Sequence, residues 1–348
     1  MKSRLMVCAA MAASIVLFSE TARAADLVRI GVLNTIGDIA VLIADEKGYF
    51  KQENIQAELI VFDASAKMIP PLGTGDLDVG GGATAASLFN AIDRKIGVRI
   101  VADKGRTEPG YVYQSVMIRK DLIDSGRFKS YADLKGLKFA QGAAGVGPWA
   151  VLAEAAKKGG VKYADIDKVY LPFPQQVAAF QNRAIDGSIM NEPFKTIVQE
   201  QGLAVEFEPT ENFVSMYELS MLFFGDKFRT ERKDVAHRFM KAFLRGTRDY
   251  NDALANGRWR TDGGADEVIR IFSQRSKLPE ALLRKITPQA ADPDGKVALE
   301  SVQRDLAFFQ EQGDVTNKTL KADDCFDPTF AERAARELGP YIRKASAR

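Results

Sequence analysis

Histidine occurs once and cysteine twice in this chain of 348 residues. The lone imidazole, His237, has no histidine or cysteine companion one helical turn away, so the clustered ligands of a metal site are missing. No histidine-based triad and no nucleophile-elbow serine motif is present either. Cys8 lies in the apolar start of the chain, which leaves Cys325 alone and excludes an internal disulfide. The sequence also lacks a proline-rich linker, a low-complexity tract and an internal repeat. Its longest apolar stretch, Leu5 to Phe18, falls short of the roughly 20 residues that span a bilayer.

That stretch follows Lys2 and Arg4 and precedes Ala22-Arg23-Ala24, small residues at the two positions a signal peptidase reads. Residues 1–24 are therefore expected to be a signal peptide cleaved after Ala24, with the mature chain exported to the periplasm and not inserted in a membrane. Cys8 follows Leu5-Met6-Val7, without the small residue that a lipid-attachment cysteine requires before it. Cleavage leaves 324 residues with 45 basic and 45 acidic side chains. This length suffices for two cores, and the charge balance argues against nucleic acid or a membrane surface as partner.

The mature chain alternates strand-like and helix-like runs. "LVRIGVL" from Leu27, "QAELIVF" ending at Phe62, "DLDVGGG" and "VRIVA" from Val98 read as strands. Between them "DIAVLIADEKGYF" places Ile39, Leu42 and Ile43 on one helical face, with Gly48 in a C-terminal cap position. The same alternation restarts with "YQSVMIRKDLI", "GLKFAQG", "DKVYLPF" and "DGSIMNEPF". One more strand, Tyr217 to Gly225, is followed only by helices. This grammar predicts an α/β fold of two lobes, parallel sheets with helices on both faces. Residues 25–112 form the first part of lobe 1 and 120–215 form lobe 2, joined by crossing strands at 113–119 and 216–224. Residues 225–348 return to lobe 1, where Val235, Phe239 and Phe243 recur at the spacing of a packed helical face.

The stretch "KFAQGAAGVGPWAVLAEAAKK" puts Gly142, Gly145 and Gly147 between a strand and a helix that Pro148 can start. The N–H groups of Ala144, Gly145, Val146 and Gly147 are then expected to face outward at the positive end of the helix dipole, as a cradle for an anionic or strongly accepting group. It is not a dinucleotide fingerprint, because "GAAGVG" reverses the glycine spacing. Three further loops fall at comparable sheet edges: "NTIGD" from Asn34, "GGGATAAS" from Gly80 and "MNEPF" from Met190. Asp38, Thr84 and Asn191 are candidate N-caps there. Four loops on facing edges make a cleft.

Four segments carry a resemblance: "DEKGYFKQENIQAELIVF", "GTGDLDVGGGATAASLFNAI", "YADLKGLKFAQG" and "FQNRAIDGSIMNEPF". In order and spacing, over Leu27 to Gly225, they resemble the nitrate/sulfonate/taurine class of substrate-binding proteins of ABC importers, which also includes binders of thiamine pyrimidine precursors. The resemblance implies a type II-like periplasmic binding fold, a small solute held between the lobes, delivery to an ABC permease and its ATPase, and a monomer without cofactor or metal. By position it implies ligand contacts at Asn34, Thr35 and Asp38, at Gly82, Ala83 and Thr84, at Ala144, Gly145, Val146 and Gly147, at Asn191 and Glu192, and at Tyr217.

Many relatives carry tryptophan where this chain has Asn191, so an aromatic wall is expected to be missing there. The resemblance points first to an anionic or zwitterionic solute such as a sulfonate, taurine or nitrate. If Asp38 and Glu192 point inward, a zwitterion or an amine-bearing heterocycle such as a thiamine pyrimidine precursor suits the cleft better. A ligand-sensing subunit docking on a receptor is a second class of function. An enzyme is a third, because the fungal pyrimidine synthases share the fold, but they carry an active-site histidine and a cysteine-rich iron motif that this sequence lacks.

Overall fold

A computed structural model describes residues 24–344. Of the expected signal peptide, all but Ala24 lies outside the described residues. Ten strands build two sheets: β1 (Asp26–Val32), β2 (Ile55–Val61), β3 (Val79–Gly82), β4 (Val98–Arg106), β5 (Gln114–Arg119), β6 (Lys138–Gln141), β7 (Asp167–Tyr170), β8 (Gly187–Asn191), β9 (Ala204–Pro209) and β10 (Glu218–Gly225). The first sheet has the order β2-β1-β3-β10-β4 and the second β7-β6-β8-β5-β9. In the first, β1 pairs in parallel with β2 and β3, whereas β10 is antiparallel to β3 and β4. In the second, β6 is parallel to β7 and β8, and β5 is antiparallel to β8 and β9.

Each sheet therefore has four strands running one way and one reversed. The reversed strand is in both cases the one by which the chain arrives from the other lobe. The segments expected as crossing strands are thus regular members of one sheet each, and the chain passes between sheets just before them. At the passage Thr107 N–H donates to the Tyr217 carbonyl at 2.9 Å, and Tyr217 N–H donates to the Thr107 hydroxyl at 3.1 Å.

The central strands are apolar because both faces are covered. Val28, Ile30 and Val32 of β1 and Leu222 and Phe224 of β10 are buried against the helix Lys233–Asp252, which contributes Val235, Phe239 and Phe243. Phe50 stacks on Phe239 at 5.1 Å between ring centroids. Cutting Phe239 or Phe243 back to alanine costs about 3–5 kcal/mol at such sites. Gly246 on the same helix meets the Ala40 carbonyl so closely that a Cβ would collide with it. His237 is half-buried on this helix against Phe330, and burial lowers its pKa. Among the described residues no helix is long and apolar enough to cross a membrane, and no group of three or more His, Cys, Asp or Glu could hold a metal ion.

Candidate functional site

In both sheets the order reverses between the first parallel strand and its two neighbours, at β1 in one lobe and at β6 in the other. Open α/β sheets collect ligands at the carboxyl end of such a point. The loops after β1, β2 and β3 face those after β6, β7 and β8 across a cleft of about 420 Å³. Residues 276–289 close one side of it through Ser276, Leu278 and Gln289.

Of the thirteen residues singled out in the sequence, seven line this cleft: Asn34, Thr35, Gly82, Ala83, Val146, Asn191 and Tyr217. Asn34 has φ +53°, a left-handed conformation that asparagine tolerates. At Gly82 a Cβ would stand 2.5 Å from the Ser65 Cβ, so the backbone approach requires glycine.

The other six have different partners. Asp38 is wholly buried: its Oδ2 accepts the N–H groups of Leu33 (2.9 Å) and Thr35 (3.2 Å), and its Oδ1 meets Lys104 Nζ at 2.5 Å. It clamps the loop from behind. Thr84 does not cap the helix Ala86–Asp93, whose N-cap is Ala85. Its hydroxyl donates to Asp305 Oδ2 instead. Glu192 is 2% exposed and accepts from Thr196 N–H (3.1 Å), Thr196 Oγ1 (3.0 Å) and Thr287 N–H (3.3 Å). Burial raises its pKa against the opposing pull of Lys195. Neither carboxylate faces the cleft, and Glu192 rather than Asn191 receives an N–H of the helix Phe194–Glu200.

The helix Pro148–Lys158 begins where the glycine loop predicts. Its cradle, however, is shared with the other lobe. Ala85 and Val146 form an antiparallel bridge across the cleft, in which Ala86 N–H donates to the Gly145 carbonyl (2.9 Å) and Gly147 N–H to the Thr84 carbonyl (3.0 Å). The Gly147 amide is therefore spent on lobe-to-lobe contact, and neither Gly145 nor Gly147 lines the cleft. Ala144 is exposed and does not line the cleft. A cradle of four outward amides is thus reduced, through a partner segment at Thr84–Ala86 that is remote in the chain and carries no local signal of the pairing.

Several wall residues carry no local sequence signal. Phe173 and Phe194, stacked at 5.7 Å and 20° from parallel, supply from the helices after β7 and β8 the aromatic surface that Asn191 does not. Gln114 donates from Nε2 to Asn191 Oδ1 at 2.8 Å, Gln141 to the Ile189 carbonyl at 3.0 Å, and Gln289 to the Lys104 carbonyl at 2.9 Å. The Oε1 atoms of Gln114 and Gln289 are buried without a hydrogen-bond partner among the described residues, and the hydroxyl of Tyr217, also buried, lies beside Asp305. Burial raises the pKa of Tyr217, with Asp305 nearby adding to it, so the hydroxyl keeps its proton. No lysine, arginine or histidine lines the cleft among the described residues. Asp63, the one charged residue that does, is exposed and paired with Lys67. Cys325 is fully buried, and burial pushes its thiol up to about 12, far from a reactive thiolate.

The fold agrees with solved structures. The alkanesulfonate-binding protein SsuA from Xanthomonas axonopodis pv. citri, bound to MOPS, superposes with a TM-score of 0.67 at 18% identity, covering 88% of this chain and all of the other. The periplasmic nitrate-binding protein NrtA from Synechocystis PCC 6803 gives 0.72 at 14% identity, with 90% and 89% covered. The desulfurization enzyme DSZB gives 0.62 at 14% identity, with 90% and 100% covered. No curated protein matches the chain. The family model described as NMT1/THI5 like matches residues 37–255, more than half of the sequence. The chain is a member of the NMT1/THI5-like family, with the periplasmic-binding-protein fold.

Proposed function

We propose that this protein is the solute-binding component of an ABC importer, acting in the periplasm, and that it holds a small organic solute between its lobes and passes it unchanged to a membrane permease. The observation that carries this reading is the convergence of six carboxyl-edge loops, three from each sheet, on one cleft with buried polar groups left unpaired. Ligand contacts to both lobes favour the closed arrangement, which a permease can recognise. Micromolar binding corresponds to about 8 kcal/mol, whereas a helix terminus contributes about 0.3–2 kcal/mol, so several loops share the work.

Between the two ligand classes raised by the sequence, the wall chemistry favours an uncharged or amine-bearing ring compound over nitrate or a plain sulfonate. A bare anion would meet no cationic side chain here, and its desolvation would fall on a few amides and hydroxyls. Phe173, Phe194, Pro172 and Leu278 suit a flat apolar body.

The test is a thermal-shift screen of the mature chain against nitrate, taurine, alkanesulfonates, aromatic acids and aminopyrimidines, with each stabilising solute recovered afterwards for analysis. Saturation at about 100 times Kd adds about 2.7 kcal/mol, a rise of several degrees. Failure of every solute to stabilise the chain would remove the binding reading. Chemical conversion of a bound solute would replace it with the enzymatic one.

A further inference from the structure

Gln289 lies outside the residues matched by the family model, in the C-terminal part of the chain expected to return to lobe 1. Its side chain is fully buried and lines the cleft. The carboxamide has a defined orientation, because Nε2 donates to the Lys104 carbonyl at 2.9 Å, an atom that can only accept. Oε1 is left as an acceptor without a partner among the described residues.

The seat for this group is built from three directions. Gly105 stands beneath it, and a Cβ there would fall on the carboxamide itself. The Gln289 carbonyl accepts the Tyr250 hydroxyl at 2.7 Å. Its neighbour Ala290 is zipped to β4, with Arg106 N–H donating to the Ala290 carbonyl at 2.9 Å and Ala290 N–H to the Arg106 carbonyl at 3.0 Å. A buried polar atom that the fold orients so closely and leaves unpaired is destabilising unless something meets it.

We propose that Gln289 is a specificity-determining residue of the cleft, and that its Oε1 accepts a hydrogen bond from an N–H or O–H donor on the solute. The buried Oε1 of Gln114, on the lobe-crossing side of the cleft, adds a second acceptor, and the Tyr217 hydroxyl can donate or accept. The cleft thus selects for donors, and against an anionic oxygen at the Gln289 position, which would face a carbonyl oxygen. The proposal rests on the reading of the cleft as a solute site and adds to it which polarity the solute presents.

The experiment titrates the mature chain by calorimetry with two matched pairs, benzamide against benzoate and 4-aminopyrimidine against pyrimidine, and with nitrate and methanesulfonate alone. The expected result is that the donor-bearing member of at least one pair binds tenfold or more tighter than its partner. Gln289→Met, similar in length but without the acceptor, is expected to erase that preference while leaving the weaker member within threefold and the circular dichroism spectrum unchanged. Tighter binding of benzoate, nitrate or methanesulfonate would overturn the proposal and leave the cleft as a solute site. A donor preference that survives in Gln289→Met would overturn the role of Gln289 alone. Absence of binding by every probe would overturn both the proposal and the reading beneath it.

Discussion

The Lys104 ammonium stands 2.5 Å from the Asp38 carboxylate, and neither side chain reaches solvent. The pair lies behind the loop that presents Asn34 and Thr35 to the cleft, and the same carboxylate holds the Leu33 and Thr35 amides. Breaking such a pair from one side leaves a buried charge alone, at a cost of about 3–5 kcal/mol.

Asp38→Ala is accordingly expected to lower unfolding free energy by that amount in urea. The double variant Asp38→Ala/Lys104→Met should recover part of it, because the orphaned ammonium is gone. Equal losses in the single and double variants would place the cost in the freed loop amides and not in the charge.

The bridge between Ala85 and Val146 draws Gly147 close against the other lobe. A Cβ there would stand 2.5 Å from the Tyr217 hydroxyl, 2.7 Å from Thr84 Oγ1 and 2.8 Å from Asp305 Oδ2. Gly147→Ala is expected to hold the lobes apart, weakening the best solute of the screen tenfold or more and enlarging the radius of gyration in X-ray scattering with solute present. Wild-type affinity would mean that the closed bridge is not needed for binding.

Asp305 gives a pH dependence of known sign. Burial pushes its carboxyl from the ordinary 3.8 up to about 7, against donation from Thr84 and the nearby Arg304. Between those values the folded chain keeps a proton that the unfolded chain has released, so stability falls as pH rises from about 4 to about 7. Asp103, Glu192 and Glu218 are also raised by burial and slope the same way, so the informative quantity is a difference. Asp305→Asn should gain on the wild type in the unfolding free energy measured in urea as pH goes from 5 to 8, by up to about 3 kcal/mol. A gap that does not widen would show the carboxyl to be ionised throughout.

The alternation of strands and helices was legible because parallel strands covered on both faces are apolar runs, and helix starts such as Pro148 carry local signals. Strand β9, "AVEFEP", escaped because its side chains are mostly half-buried and carry two glutamates. The edges where loops gather were also legible, since that follows from sheet order. What was not legible was which side chain of a loop turns inward. Asp38 and Glu192 turn away because Lys104 and Thr287, distant in sequence, complete their hydrogen bonds. Gln289 turns inward because Gly105 leaves room for it. Such facts are set by pairs of residues from remote segments, and a linear reading weighs each residue alone.

Strand β10 lies between β3 and β4, yet it leaves the ribosome only after all of the second lobe. Lobe 2, by contrast, is continuous in the chain from β5 to β9 and has every strand of its sheet once Pro209 has emerged. During synthesis, where domains generally fold as units, the inserted lobe is therefore equipped to fold first, while β4 waits without a hydrogen-bonded neighbour for β10 to thread in. The wall that Gln289 supplies comes later still, so a nascent chain lacks part of the cleft lining until residue 289 has been made.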